Sequence, residues 1–178
     1  MSLSSPRKNT REPLNEHELF DYAAASLGRR AQTVAELTRK MRTRVEPGDA
    51  GEQRIGAVLC RLREYGYLND AAFAADYTRL RQENNKFGRR RVQQGLMQKG
   101  VPPELVATTL DAAYEHVDDE QLARAYIERK RIPAPKDKKD AARVLRRLVA
   151  AGFAPSIAFK VLRRWAPGEE ALEAEDNE

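Results

Sequence analysis

The sequence predicts an all-α fold of three tandem three-helix repeats forming an elongated, curved helical array, and three observations predict it. The first is internal repetition. Phe73-Ala-Ala-Asp-Tyr77-Thr-Arg-Leu-Arg81 returns in outline as Leu122-Ala-Arg-Ala-Tyr126-Ile-Glu-Arg-Lys130, and Gly100-Val101-Pro102 returns as Gly152-Phe153-Ala154. A period near fifty residues built from helical pieces is the mark of stacked units that share a hydrophobic face. The second is periodicity: apolar residues recur at spacings of three and four, and no stretch alternates with period two long enough to compete as a strand. The third is size, since a lone unit of about fifty residues buries too small a core to stand well by itself. The expected division is a disordered segment over 1–13, repeats over 14–66, 67–117 and 118–166, and a disordered acidic tail over 167–178.

Each element has a local cause. The first helix runs from about Glu16 to Arg29, with Leu19, Tyr22, Ala23, Ser26 and Leu27 inward. Thr33 and Glu36 form a capping box that opens a second helix carrying Val34, Leu37 and Met41, and Pro47-Gly48-Asp49 breaks it. The third helix holds Ile55, Val58, Leu59 and Leu62 and stops at Gly66. Asn69 or Asp70 caps a fourth, which holds Phe73, Tyr77 and Leu80. After the turn Asn84 to Gly88 comes a fifth with Val92, Leu96 and Met97, ended by Gly100. Pro102-Pro103 opens the sixth, where a first-turn proline forfeits no hydrogen bond, and its inner face is Leu105, Val106, Thr109, Leu110 and Ala113. Asp118 and Gln121 make a capping pair for the seventh, lined by Leu122, Tyr126 and Ile127. Pro133-Ala-Pro135 separates it from an eighth with Val144, Leu145 and Leu148, which Gly152 ends. Pro155 opens the ninth, with Ile157, Val161, Leu162 and Trp165.

Charge points to the kind of partner. The formal net charge is +5, yet residues 168–178 hold six acids and no Lys or Arg, so 32 basic residues face 21 acids in the rest, a net of +11. A basic body beside an acidic tail suggests a polyanionic partner. Cys60, the single cysteine, precludes an internal disulfide and is expected as a buried structural thiol in a reducing compartment. The polar N-terminal segment lacks the apolar run of a signal peptide, and no run of about eighteen apolar residues suits a membrane span. A cytoplasmic, soluble monomer is expected.

Catalytic chemistry has little to work with. His17 and His116 lie near helix ends, no Cys or His pair has metal spacing, and no Gly-rich phosphate loop occurs. Asp118-Asp119-Glu120 is best explained by the dipole of the helix it enters. No catalytic residue, metal site, cofactor or small-molecule substrate is expected. The basic clusters are more informative. Lys86, Arg89, Arg90 and Arg91 stand at the start of the fifth helix, where they oppose its dipole; a phosphate bound to the free amides of that terminus would supply a reason. Lys136, Lys138 and Lys139 precede or open the eighth helix, Arg143, Arg146 and Arg147 lie along one side of it, and Lys160, Arg163 and Arg164 follow on the ninth. Arg39, Lys40, Arg42 and Arg44 make a weaker set. Tyr77, Tyr126, Phe73 and Trp165 share the apolar register and read as core, not as a stacking platform for single strands. Phe87 either stacks on a base or staples its turn.

The run Arg61-Leu-Arg-Glu-Tyr-Gly66-Tyr-Leu-Asn-Asp70-Ala-Ala-Phe73-Ala, then Tyr77, Arg81, Gly88, Arg91-Val-Gln-Gln-Gly-Leu96 and Lys99-Gly100-Val101, resembles the RecX family of bacterial recombination regulators. Thr33 to Met41 is similar to that family's polar-cap, Glu-Leu, Lys-Leu element. The likeness covers about Leu19 to Trp165; Gly95 stands where an acid is expected, and the third repeat is only loosely similar. The resemblance implies tandem three-helix repeats, no enzymatic activity, and binding to the RecA recombinase filament on DNA, whose ATP hydrolysis, strand exchange and co-protease function it dampens. The candidate contact residues are Lys86, Arg89, Arg90, Arg91, Lys138, Lys139, Arg143, Arg146, Arg147, Lys160, Arg163 and Arg164. The competing reading is a general nucleic-acid binder that acts by competition for DNA.

Overall fold

The structure, a computed structural model, describes residues 12–165; most of the expected disordered segment 1–13 and all of the acidic tail 167–178 lie outside the described residues. Within them the chain forms nine α-helices and no strand: α1 Glu16–Arg29, α2 Val34–Arg42, α3 Asp49–Glu64, α4 Asp70–Asn85, α5 Arg89–Gln98, α6 Pro103–Tyr114, α7 Asp119–Arg129, α8 Lys138–Ala150 and α9 Pro155–Trp165. They belong to two compact units, Met1–Phe73 and Ala74–Glu178.

In the first unit α1, α2 and α3 pack against one another around Leu19, Ala23, Leu37, Met41, Ile55, Val58, Leu62 and Leu68. Polar side chains fix the starts of α1 and α2 and the turn that joins them. Asn15 and Glu18 form a capping box on α1, and Thr33 and Glu36 form the expected one on α2. Between them the Gln32 side chain donates to the Ser26 carbonyl and hydroxyl, each at 2.9 Å, which satisfies three groups that burial would otherwise penalise. Asn69, of the two proposed caps, accepts from the Ala72 amide; Asp70 instead accepts from the Val34 amide at 2.9 Å and so extends the order of α2's first turn. Cys60 corrects the sequence reading. It is exposed, because Ile55, Val58 and Leu62 set the buried face of α3 and position 60 falls on the other side. Its sulfur donates to Glu64, and that carboxylate pushes the thiol above its usual range.

In the second unit α5 packs on α6, and α7 and α8 both pack on α9. The α7–α9 core holds Tyr126, Ile127, Ile132, Val144, Leu148, Phe153, Val161 and Leu162. The helix ends show the repetition physically. Bonds spanning five residues close α3, α5, α7 and α8: Tyr67 to Leu62, Val101 to Leu96, Ile132 to Ile127 and Phe153 to Leu148. This is the left-handed C-terminal motif that satisfies last-turn carbonyls. Gly66, Gly100 and Gly152 supply the positive φ for three of them, while Arg131 supplies it for α7, and Lys86 adopts the same region after α4. Two inward assignments differ from expectation. On α4 the buried residues are Ala74 and Thr78, with Leu80 45% exposed, and Met97 on α5 is 54% exposed. Leu96, one position before Met97, is fully buried in its place.

Two contacts hold the second unit across its sequence. At Gly88 and Gly152 the backbones of two segments touch: a Cβ on Gly88 would stand 2.5 Å from the Gly152 oxygen, and one on Gly152 would stand 2.6 Å from the Gly88 oxygen. The Gly88 amide donates to the Ala151 carbonyl at 2.9 Å and the Arg90 amide to the Gly152 carbonyl at 3.3 Å. Beside it, the Phe87 ring packs 6.3 Å from Tyr126, and its carbonyl accepts from the Tyr114 hydroxyl at 2.9 Å; Phe87 therefore staples the turn. The second contact is Glu120 on α7, whose side chain is 11% exposed and receives Arg124 at 2.9 Å, Lys160 at 2.9 Å and Arg164 at 2.5 Å. The three cations, led by the hydrogen bond from Lys160, hold its carboxyl down at about 2.

Gly88→Ala and Gly152→Ala should each lower stability by about 1–3 kcal/mol, because overpacked backbone must move apart. Gly56→Ala, in α3 with nothing near its Cβ position, should raise stability by about 1 kcal/mol; urea midpoints check all three. For Glu120 the depressed value fixes the sign. Its contribution is complete above the ordinary carboxyl value of 4.5 and is lost as pH falls towards 2. The stability gap between the native chain and Glu120→Gln should thus be constant above about pH 5 and close as the pH approaches 2, as read from urea titrations at each pH.

Candidate polyanion interface on the second unit

The first turn of α5 is built by Gly88. As N-cap it offers no side-chain oxygen, but its own amide donates to the Ala151 carbonyl and the Arg90 amide to the Gly152 carbonyl. The positive pole of α5 therefore meets the negative pole of α8. Protein carbonyls thus take two of the amides at the terminus where the sequence suggests a bound phosphate, those of Gly88 and Arg90. This meeting of poles also explains why three arginines begin this helix. They oppose α5's own dipole but complement the C-terminal pole of α8 beside them, each effect being worth a few tenths of a kcal/mol.

The same seam brings two basic segments together that lie about fifty residues apart in the chain. Arg89, Arg90 and Arg91 sit at the end of α8 that carries Arg146 and Arg147 in its last turns, while Lys138 and Lys139 open that helix. Thirteen residues of α-helix extend about 20 Å, so the cations follow α8 from one end to the other. All are exposed except Lys86, which is half-buried.

Ion pairing divides the twelve candidates. Arg89 pairs with Asp111, Arg143 with Asp140 at 2.6 Å, and Lys160 and Arg164 with Glu120. Arg163 lies on α9 with an interaction of its own. Lys86, Arg90, Arg91, Lys138, Lys139, Arg146 and Arg147 have no acidic partner among the described residues; Arg91 lies 5.9 Å over the Phe87 ring. Those seven are the charges left for an external anion. The weaker set in the first unit is used internally: Arg42 pairs with Glu52 at 2.7 Å, Lys40 donates to the Ser26 hydroxyl, and Arg44 stacks 5.0 Å over Tyr22.

Some features escaped sequence reasoning. Glu120 reads as one acid of a dipole cluster, and only Arg124, four residues on, signals its role. Its partners on α9 are forty and forty-four residues away and carry no local signature. The departure at Gly95 has a packing consequence, because a Cβ there would run into the phenol of Tyr77, whose ring also receives Arg81 at 4.8 Å and Lys99 at 6.0 Å. Two recesses open on the unit. One is lined by Arg124, Ile127, Glu128, Val161, Arg164 and Trp165; the other lies between Ile132, Pro133 and α8 at Arg143 and Arg147. Neither contains a His or Cys. Among the described residues no group of three His, Cys, Asp or Glu is placed to hold a metal, and no helix is long and apolar enough to cross a membrane.

Comparison with known proteins agrees with this architecture. Residues 69–110 match the family model described as RecX, second three-helix domain. The chain is 34% identical over 169 residues to the regulatory protein RecX of Mycobacterium ulcerans strain Agy99, covering 91% of this chain and 92% of that one. It is 35% identical over 171 residues to the regulatory protein RecX of Deinococcus radiodurans, covering 94% and 78%. The crystal structure of RecX from Lactobacillus salivarius shares the fold, with a TM-score of 0.66 at 16% identity over 84% of this chain and 96% of that one. The tandem helical triplets, the Gly-Tyr-Leu-x-Asp turn at Gly66 to Asp70 and these full-length relatives lead to one statement: the chain belongs to the RecX family of regulatory proteins.

Proposed function

We propose that this chain binds the RecA–DNA filament and inhibits or modulates its ATP hydrolysis, strand exchange and co-protease activities, acting as a monomer without cofactor or small-molecule substrate. Family membership supports a regulatory role. The observation that carries the finer reading is the row of unpaired cations along α8 and across the Gly88–Gly152 seam. A filament of protein on DNA offers both acidic side chains and phosphates to such a row, and guanidinium groups suit both by forked hydrogen bonding. The division into repeats 14–66, 67–117 and 118–166 belongs to the same proposal, with the last two forming the contact face.

The competing reading is direct competition for DNA. Counterion release separates the two: each phosphate neutralised contributes about −0.9 to the salt slope on duplex DNA and about −0.7 on single strands. If competition were the mechanism, affinity for naked DNA would equal affinity for the filament and show the same slope.

The triple variant Arg90→Ala, Arg146→Ala, Arg147→Ala should raise the concentration needed for half-inhibition of filament ATP hydrolysis at least about tenfold, equivalent to about 1.4 kcal/mol, with helical circular dichroism unchanged. Unaltered inhibition by a folded triple variant would remove these residues from the contact. Lys86→Gly offers a separate test. It relieves a left-handed non-glycine residue and should raise stability by about 1 kcal/mol, while weakening inhibition through the lost charge.

A further inference from the structure

One recess of the second unit lies where the chain leaves α7 and enters α8. Its near wall is the segment Ile132-Pro133-Ala134, and its far wall is the side of α8 that carries Asp140, Arg143 and Arg147, with Val144 behind them. Ile132 and Val144 are buried and already packed, so the apolar surface still open is that of Pro133 and Ala134, both exposed. The near wall is stiff. Arg131 turns the chain with a positive φ, the Ile132 amide donates to the Ile127 carbonyl at 3.1 Å, and prolines at 133 and 135 fix φ on either side of Ala134. The space measures about 180 Å³, below the roughly 300–1,000 Å³ of small-molecule sites and suited to one side chain. Its charged lining is one acid and two arginines, all on α8. Asp140 is taken by Arg143 at 2.6 Å, which leaves the Arg147 guanidinium, one turn further on, without an acidic partner among the described residues. Outside the recess, Lys136, Lys138 and Lys139 outnumber Asp137, whose carboxylate already accepts the Asp140 amide at 2.7 Å.

We propose that this recess receives a carboxylate side chain of a protein partner, its oxygens on the Arg147 guanidinium and an apolar neighbour of that acid against Pro133 and Ala134. A guanidinium fork suits carboxylate and phosphate alike, so the surroundings decide between them. One unpaired arginine in a space for one side chain balances one charge. Duplex DNA instead brings a charge about every 3.4 Å along each strand, and its hydrated sugars would meet an apolar wall that offers them no hydrogen bond. Because the wall and the helix are both fixed before binding, little ordering cost is left to offset. The inference deepens the proposed function and rests on it only for the identity of the partner: it assigns the recess to the protein of the filament, not to its DNA.

Two singly charged probes test the recess in the full chain without RecA: the terminally blocked dipeptide leucyl-glutamate and dimethyl phosphate, compared at equal ionic strength. The side-chain Nε–H signal of Arg147, assigned by its loss in Arg147→Lys, should shift saturably with the dipeptide and stay in place with the phosphate diester. Ala134→Trp, which fills the recess without changing charge, should abolish the dipeptide shift. Equal shifts with both probes, or none with the dipeptide, would overturn the proposal. On the filament, Arg147→Gln should raise the concentration for half-inhibition of ATP hydrolysis about tenfold, and Arg146→Gln, which removes the same charge from the same helix outside the recess, by less than about threefold. On a naked oligonucleotide the two variants should lose affinity equally. Equal losses on the filament would also overturn the proposal. A native chain that leaves filament ATP hydrolysis unchanged would remove the proposed function instead, and the dipeptide titration would still decide the recess.

Discussion

The backbone contact between Gly88 and Gly152 is the constraint on which the second unit depends. Neither position has room for a Cβ, and the carbonyls that end α8 serve as acceptors for the amides that begin α5. Burying two helix termini against each other is costly unless their orphan groups meet, and here they meet in opposite polarity. Phe87 and Tyr126 close the apolar side of this seam, and Tyr114 fastens the Phe87 carbonyl. Desolvation at that site pushes the Tyr114 phenol well above its usual range, so it stays a neutral hydrogen-bond donor at any physiological pH.

Charge placement follows from the seam. Arginines at the start of a helix are unfavourable by themselves, yet these stand beside the negative pole of α8, which offsets their cost. A second use of charge holds α7 to α9 through Glu120. Pairing of half-exposed cations with one nearly buried carboxylate differs from isolated surface ion pairs, which contribute little, because several donors converge on one acid and together hold its carboxyl well below the ordinary range. The unit thus spends four of its candidate cations on local acids and keeps others for an outside anion. That selection comes from geometry, not from abundance of Lys and Arg.

Local signals were legible in the sequence and long-range ones were not. The nine helices, the Thr33–Glu36 box and the turns at Gly66, Gly100 and Gly152 follow from short-range chemistry that needs only a few neighbours. On α4 the buried positions fall to Ala74 and Thr78, with the larger Phe73 and Tyr77 only partly buried beside them. Cys60 stands two residues from Val58 and from Leu62, which is about 200° around a helix and turns it away from the face they bury. The basic segments on α5 and α8 were visible as separate clusters. Their juxtaposition was hidden, since it rests on two glycines sixty-four positions apart whose common role appears only when their backbones touch. The family resemblance carried the functional expectation further than periodicity alone could.

Amide hydrogen exchange of the whole chain, free and bound to RecA on single-stranded DNA, tests the central claim most directly. The account predicts that the amides of Gly88 and Arg90 exchange slowly in the free chain, as groups already bonded to the end of α8 must, and that binding adds protection over residues 86–92 and 138–152. Fast exchange at Gly88 and Arg90 in the free chain, or added protection confined to residues 14–66, would contradict it.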